Sequence, residues 1–399
     1  MTSVATILLA LGATASVAHA ANDTHQRIER AVDAAIRPLM AQYDIAGMAV
    51  GITIAGRTEV FDYGVASRET GKPVTRDTLF EIGSISKTFT ATLAAFAEAN
   101  GALSLSDTVD QSMPSLRGRP FGDVRLRDLA THTPGGLPLQ VPDRVHDDGE
   151  LIAYLAAWKP AYARGTRRTY SNPGIGMLGL ITGRRMTGDF AALMDRDVFS
   201  PLGMRDTTYD VPAARAANYA QGYAKTGAPV RLTRGVLAFE AYGVKSTAAD
   251  MLRFVDANMN PGPQDNALQR AIAATHTGYY EAGPMTQDLI WEQYPYPVAL
   301  KTLLDGNGPS MIFDATPVTE IVPPRPPLQA AWINKTGSTN GFGAYVAFVP
   351  AKRLGIVILA NRNFPIEARV AAAYRIVTAL ADEASSSSAV SHRRTSNSS

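Results

Sequence analysis

Two runs near the start of the chain, Gly47 to Ile54 and Thr58 to Tyr63, carry the β-branched and aromatic residues of strands, and Ala55-Gly56-Arg57 joins them as a hairpin turn. The pattern returns near the other end, where Phe342 to Val349 and Leu354 to Leu359 flank Pro350-Ala351-Lys352. Helical spacing brackets both pairs. Ile28, Val32, Ile36 and Leu39 follow a cap-like Asp23 and surround a kinking Pro38, and Glu367 to Ala381 has a helical composition. A long middle of helix-like and loop-like sequence lies between. Strands at both ends predict an α/β (α+β) protein: one antiparallel sheet built from the two ends of the chain, flanked by helices, with a mainly helical region inserted. A substrate would sit in the cleft between these parts.

Three segments follow from this reading. Residues 1–20 read as a signal peptide, because Val4 to Leu11 is a short apolar run and Ala18-His19-Ala20 is an A-x-A cleavage pattern, although no basic residue precedes Arg27. Residues 21–384 form the working domain, with a sheet lobe at about 21–100 and 285–384 and a mainly helical lobe at about 101–284. Residues 385–399, rich in Ser and containing His392-Arg393-Arg394, read as a disordered tail. Export to the periplasm is expected. No integral membrane segment remains after cleavage, since no apolar stretch approaches the ~20 residues of a membrane span.

Composition narrows the chemistry. The 399 residues are 46% hydrophobic and 19% charged, as in a globular protein, and a net charge of +2 from 38 basic and 36 acidic residues provides no basic face for nucleic acid. The absence of Cys excludes disulfides, thiolate nucleophiles and thiolate-bound metals. The six His are scattered without H-x-H or H-E-x-x-H spacing, so no metal is expected and His132 and His276 read as structural. No G-x-S-x-G elbow supports an α/β-hydrolase. Gly174-Ile175-Gly176-Met177-Leu178-Gly179, with Asp195 downstream, fits a dinucleotide fingerprint. It follows Tyr-Ser-Asn-Pro instead of a buried strand, so it reads as a glycine-containing helix packed closely on a neighbour, and no cofactor is expected.

Three short motifs remain. Ser84-Ile85-Ser86-Lys87 is an S-x-x-K that opens a helical pattern continued by Phe89, Leu93 and Phe96; residues three apart share a helical face, so Lys87 can reach the Ser84 hydroxyl. Alone, such a motif is equally well a capped helix start. Tyr170-Ser171-Asn172 is the single Y-x-N. A phenol, with an ordinary pKa of ~10, becomes a base near neutrality only beside cations; otherwise it is a turn Tyr before Asn-Pro. Lys-Thr-Gly occurs twice. Lys225-Thr226-Gly227 lies in loop-like sequence without an adjoining strand, whereas Lys335-Thr336-Gly337 runs through Ser338 into the strand-like Phe342 to Val349. Only the second is credible as catalytic.

The order S-x-x-K, Y-x-N, K-T-G resembles the serine penicillin-recognising enzymes from about Ala31 to Ala381. Leu79 to Ser84, Gly135 to Gln140, Tyr242 to Ser246 and Asn334 to Pro350 look like class C (AmpC-type) β-lactamases in particular, whereas class A enzymes use S-D-N in place of Tyr170-Ser171-Asn172. The resemblance implies the serine β-lactamase/transpeptidase-like fold, a monomer, a small β-lactam as substrate and no cofactor. It implies Ser84 as the acylated nucleophile, Lys87 and Tyr170 as the proton-transfer system, and Lys335 as electrostatic support. The backbone N–H groups of Ser84 and Ser338 beside Gly337 would form the oxyanion hole. Gln140 and Asn172 would bind the amide side chain, and Thr336 with Lys335 the carboxylate. Asn363 and Arg369 are further carboxylate candidates, but Ile366 stands where many class C enzymes have Asn. A D-alanyl-D-alanine carboxypeptidase or a family VIII-type esterase carries the same three motifs and differs in deacylation. A non-catalytic penicillin sensor would keep Ser84 without turnover.

Overall fold

The computed structural model describes residues 4–260, 262 and 265–395, with side chains between 22 and 381 of these. The signal-peptide and Ser-rich tail readings lie outside the residues described in full. Among the described residues, those up to Asp44 together with those from Tyr374 onward form one compact unit, and those between Ile45 and Ala373 form another. The first contains the helix Val4–Gln42, which runs through both Asp23 and Pro38.

The second unit is built on a ten-stranded sheet. In order across the sheet the strands are Arg57–Gly64, Gly47–Ile54, Leu354–Ala360, Gly343–Val349, Ala331–Ser338, Glu292–Pro295, Met285–Gln287, Gly278–Ala282, Thr316–Arg325 and Arg167–Arg168. The expected union of the two ends is present: Gly47–Ile54 pairs antiparallel with Leu354–Ala360, Val50 facing Ile358. Leu354–Ala360 and Gly343–Val349 are buried along their whole length, so they read as continuous apolar runs; edge strand Arg57–Gly64 alternates toward water. Ala55 and Gly56 both take positive φ, the geometry of a two-residue hairpin whose twist matches the flanking strands.

Arg167–Arg168 and Gly278–Ala282, both from the stretch expected to be mainly helical, extend the far flank of the sheet. Each is too short to produce a readable alternation. The remainder of the middle supplies the helices Asn172–Arg185, Ala238–Tyr242 and Ala248–Met259. The last lies on the central strands, where Leu252 and Val255 fill the space left open by Gly51 and Gly355. Phe89, Phe254, Trp291 and Phe348 join the sheet to the buried helix Ser86–Ala99. Asn172–Arg185 packs against that helix from another side, in a cluster containing Leu178 and Ile181.

Candidate active site

Ser84 lies in the single turn Gly83–Ile85, immediately before Ser86–Ala99. Lys87, one turn on, is fully buried and donates its Nζ to Ser84 Oγ at 2.9 Å and to Ala241 O at 2.8 Å. Burial pushes its ammonium down to about 8; Tyr170 opposes that shift and Lys335 adds to it. The neighbouring polar side chains are satisfied within the helix: Thr88 Oγ1 donates to Ile85 O at 2.8 Å, and Thr92 Oγ1 to Thr88 O at 2.8 Å.

Tyr170 sits between the strand Arg167–Arg168 and the helix Asn172–Arg185, whose N-terminus is capped by Ser171 Oγ accepting from the Gly174 N–H at 3.0 Å. Lys335 Nζ, Lys87 Nζ and the Arg168 guanidinium carbon lie 5.0, 5.3 and 5.4 Å from its ring centroid. Burial alone raises a phenol. Here Lys335, Lys87 and a hydrogen bond with Ser84 together outweigh it and bring Tyr170 to about 8. Lys335 lies on the strand Ala331–Ser338 with its Nζ 3.5 Å from Glu292 Oε1. Burial works against its charge, but Glu292 and Tyr170 hold the ammonium above its ordinary value.

A buried polar group behind Tyr170 escaped the sequence reading. Arg168 donates to Gln287 Oε1 at 2.6 Å, to Met311 O at 2.5 Å and to Glu292 Oε1 at 3.4 Å, and Asn334 donates to Glu292 Oε2 at 3.1 Å. The one signal was spacing: Arg168 is two residues before Tyr170, but nothing local marks an Arg as buried. His132 lies against Tyr170 with ring centroids 4.5 Å apart and planes tilted by 42°, and its Nδ1 accepts from the Ser171 N–H at 3.3 Å. Burial, Arg168, Lys87 and Lys335 hold this imidazole well below the ordinary range, so it is neutral. His276 is equally buried, 2.9 Å from Asn258 Oδ1, and pushed down to about 3 by burial.

The strand bearing Lys335, Thr336 and Gly337 presses on the turn that carries Ser84. A Cβ on Gly337 would lie 2.0 Å from Ile82 O, so only Gly lets the two backbones meet. The glycine-rich segment 174–179 is a helix, as read from the sequence. A Cβ on Gly176 would lie 2.7 Å from Leu237 Cβ, at the start of the helix whose Ala241 carbonyl holds Lys87.

Ser84, Tyr170 and Lys335 line a cleft of about 750 Å³ together with Gln140, Asn172, Thr336, Gly337, Ser338 and Asn363. Asn172 Nδ2 donates to Gln140 Oε1 at 2.8 Å. Arg369 is the exception among the residues expected to meet substrate. It is fully buried and absent from the cleft wall; its guanidinium donates to Gly337 O at 2.7 Å, Ser338 Oγ at 2.9 Å, Asn363 Oδ1 at 2.7 Å and Phe364 O. The wall is closed there by Asn363, Phe364, Pro365, Ile366 and Glu367, so Arg369 supports the contact surface from behind. Lys225 joins the cleft wall, and its loop is a hairpin in which Gly222–Tyr223 pairs with Pro229–Val230. Among the described residues no group of three or more His, Asp or Glu could hold a metal ion.

Comparison with known proteins agrees with this arrangement. Residues 32–381 match the family model described as Beta-lactamase. A beta-lactamase of Pseudomonas fluorescens is 48% identical over 353 residues, covering 88% of this chain and 99% of that protein. A D-alanine carboxypeptidase AmpC from Burkholderia cenocepacia is similar in structure with a TM-score of 0.85 and 60% identity, over 89% of this chain and 99% of that one. A class C beta-lactamase solved with cefoxitin gives a TM-score of 0.86 at 47% identity, over 88% of this chain and 99% of that one. With its motifs, fold and relatives in agreement over most of its length, the chain belongs to the beta-lactamase family, in its class C branch.

Proposed function

We propose that the protein hydrolyses the β-lactam ring of cephalosporins and penicillins through an acyl-enzyme on Ser84. The observation that carries this reading is the buried chain in which Lys87 bonds Ser84 while Tyr170 stands between Lys87 and Lys335. Ser84 Oγ attacks the lactam carbonyl carbon as its proton passes to the Tyr170 phenolate, with Lys87 assisting. The C–N bond then breaks and the lactam nitrogen takes that proton from Tyr170. Water, deprotonated by the same group, attacks the ester; the Oγ–C bond breaks and Ser84 recovers its proton. The N–H groups of Ser84 and Ser338 stabilise the oxyanion in both steps. Gln140 and Asn172 receive the amide side chain, and Thr336, Lys335 and Asn363 the carboxylate. Arg369 is a positioning residue for Asn363 and Ser338. The protein acts as a periplasmic monomer after loss of residues 1–20.

The test is hydrolysis of a chromogenic cephalosporin by the purified protein and by Ser84→Ala. Turnover that disappears in the variant is expected; no turnover in the parent, or undiminished turnover in Ser84→Ala, would overturn the proposal. A second reading, a D-alanyl-D-alanine carboxypeptidase, is consistent with the name of the 60%-identical structure. Intact mass after mixing with penicillin separates the two, because a peptidase remains acylated where a β-lactamase returns to the free mass.

A further inference from the structure

We infer that Lys225, in the Lys-Thr-Gly copy set aside on sequence, is the solvent-facing cation that attracts the substrate carboxylate into the cleft; this rests on the β-lactam reading above. Among the described residues, three cations line the cleft: Arg168, Lys225 and Lys335. Arg168 is 1% exposed and engaged by Gln287, Met311 O and Glu292. Lys335 is also 1% exposed and held beside Glu292, with Tyr170 next to it. Arg369 is behind the wall. Lys225 alone of the three is exposed, and its side chain forms no hydrogen bond or ion pair among the described residues.

The position of Lys225 is built, not incidental. Its hairpin is closed by the Ala224 N–H donating to Ala228 O at 2.9 Å and is anchored by the Tyr223 N–H, which donates to Asn361 O at 3.0 Å and Gly341 O at 3.2 Å. The Arg362 guanidinium donates to Lys225 O at 3.0 Å. The backbone of Lys225 is therefore tied to the residue next to Asn363. Because Asn363 Oδ1 accepts from Arg369, its Nδ2 is the group left for the cleft. Thr336 offers a hydroxyl from the same wall, while Glu367 adds a negative charge that repels an anionic substrate. Thr336 and Asn363 thus offer neutral donors to the carboxylate beside the buried Lys335, and Lys225 supplies the solvent-facing charge that Arg369 cannot present.

The experiment is steady-state hydrolysis of a cephalosporin and of its uncharged carboxylate ester by the parent protein, Lys225→Ala, Lys225→Glu and Lys225→Arg. For the free acid, kcat/KM should fall about fivefold in Lys225→Ala and further in Lys225→Glu, with kcat within about twofold and Lys225→Arg near the parent. The ester should be indifferent to all three changes, and the parent's advantage should shrink at high salt. An unchanged kcat/KM in Lys225→Glu, or equal losses for acid and ester, would overturn the role of Lys225 while leaving turnover by Ser84 intact. Absence of turnover in the parent would overturn the β-lactam reading and this role together.

Discussion

Lys87 donates to Ser84 Oγ at 2.9 Å and to Ala241 O at 2.8 Å, so a carbonyl distant in sequence fixes the ammonium against the Ser84 hydroxyl. Burial pulls Lys87 to about 8, and cations pull Tyr170, despite its own burial, to about 8. Groups so matched exchange a proton at small cost, and the protonation steps belong to the pair.

The pH profile should report this pair. At low pH both groups hold their protons and no base exists; kcat/KM should climb as pH rises toward about 8 and one proton leaves, then decline once the second is lost. Lys335→Ala removes a cation that favours the Tyr170 phenolate, so the rising limb should move to higher pH. Profiles of the parent and variant check this, and a limb that stays in place would contradict the support assigned to Lys335.

Gly176→Ala should weaken the fold and slow acylation. The added Cβ would sit 2.7 Å from Leu237 Cβ and displace the helix Ala238–Tyr242, which carries the Ala241 carbonyl. Overpacking of this kind costs about 1–3 kcal/mol. Thermal melting and single-turnover acylation should both show the loss; a melt unchanged from the parent would show that the helices can part freely.

Arg369→Lys should not substitute for the parent residue, although it retains the charge. A guanidinium reaches Gly337 O, Ser338 Oγ, Asn363 Oδ1 and Phe364 O together, and an ammonium with three donors on one atom cannot. Loss of stability by about 3 kcal/mol is expected on leaving those buried acceptors unpaired. Denaturant melts and kcat/KM measure the two consequences. Full activity in Arg369→Lys would remove the positioning role.

Asp288→Asn should stabilise the protein at neutral pH. Asp288 is fully buried, neither carboxyl oxygen has a hydrogen-bond partner among the described residues, and burial holds its pKa well above the ordinary value, with Arg325 opposing. Above the unfolded pKa near 3.8 the folded state retains a proton that the unfolded state gives up, so stability declines as pH rises, by at most about 1.4 kcal/mol per unit. The advantage of Asn should therefore be largest at neutral pH and vanish as pH falls below the unfolded value. Melting curves from below pH 3.8 up to neutral pH test it.

Much of the sheet was legible because its strands follow short-range rules. The hairpin at Ala55-Gly56 carries its turn residues and the alternation of its edge strand locally, and the strands on either side of Pro350 carry continuous apolar, β-branched runs. Arg167–Arg168 and Gly278–Ala282 were not legible, since segments of two and five residues become strands only when a neighbour offers an edge. The glycine-rich helix 172–185 was readable by context: a segment following Tyr-Ser-Asn-Pro lacks the strand that a dinucleotide fold requires.

In the site, the sequence by itself determined Ser84, Lys87, Tyr170 and Lys335 as a set, since motif order and helical spacing survive without coordinates. Only the tertiary structure decided what surrounds each charge. It turned Arg369 inward beneath Asn363, put Arg168 and Glu292 behind Tyr170, and brought Lys225 to the mouth of the same cleft. The physical reason is that burial and charge neighbours set the behaviour of these groups, and both come from segments far apart along the chain.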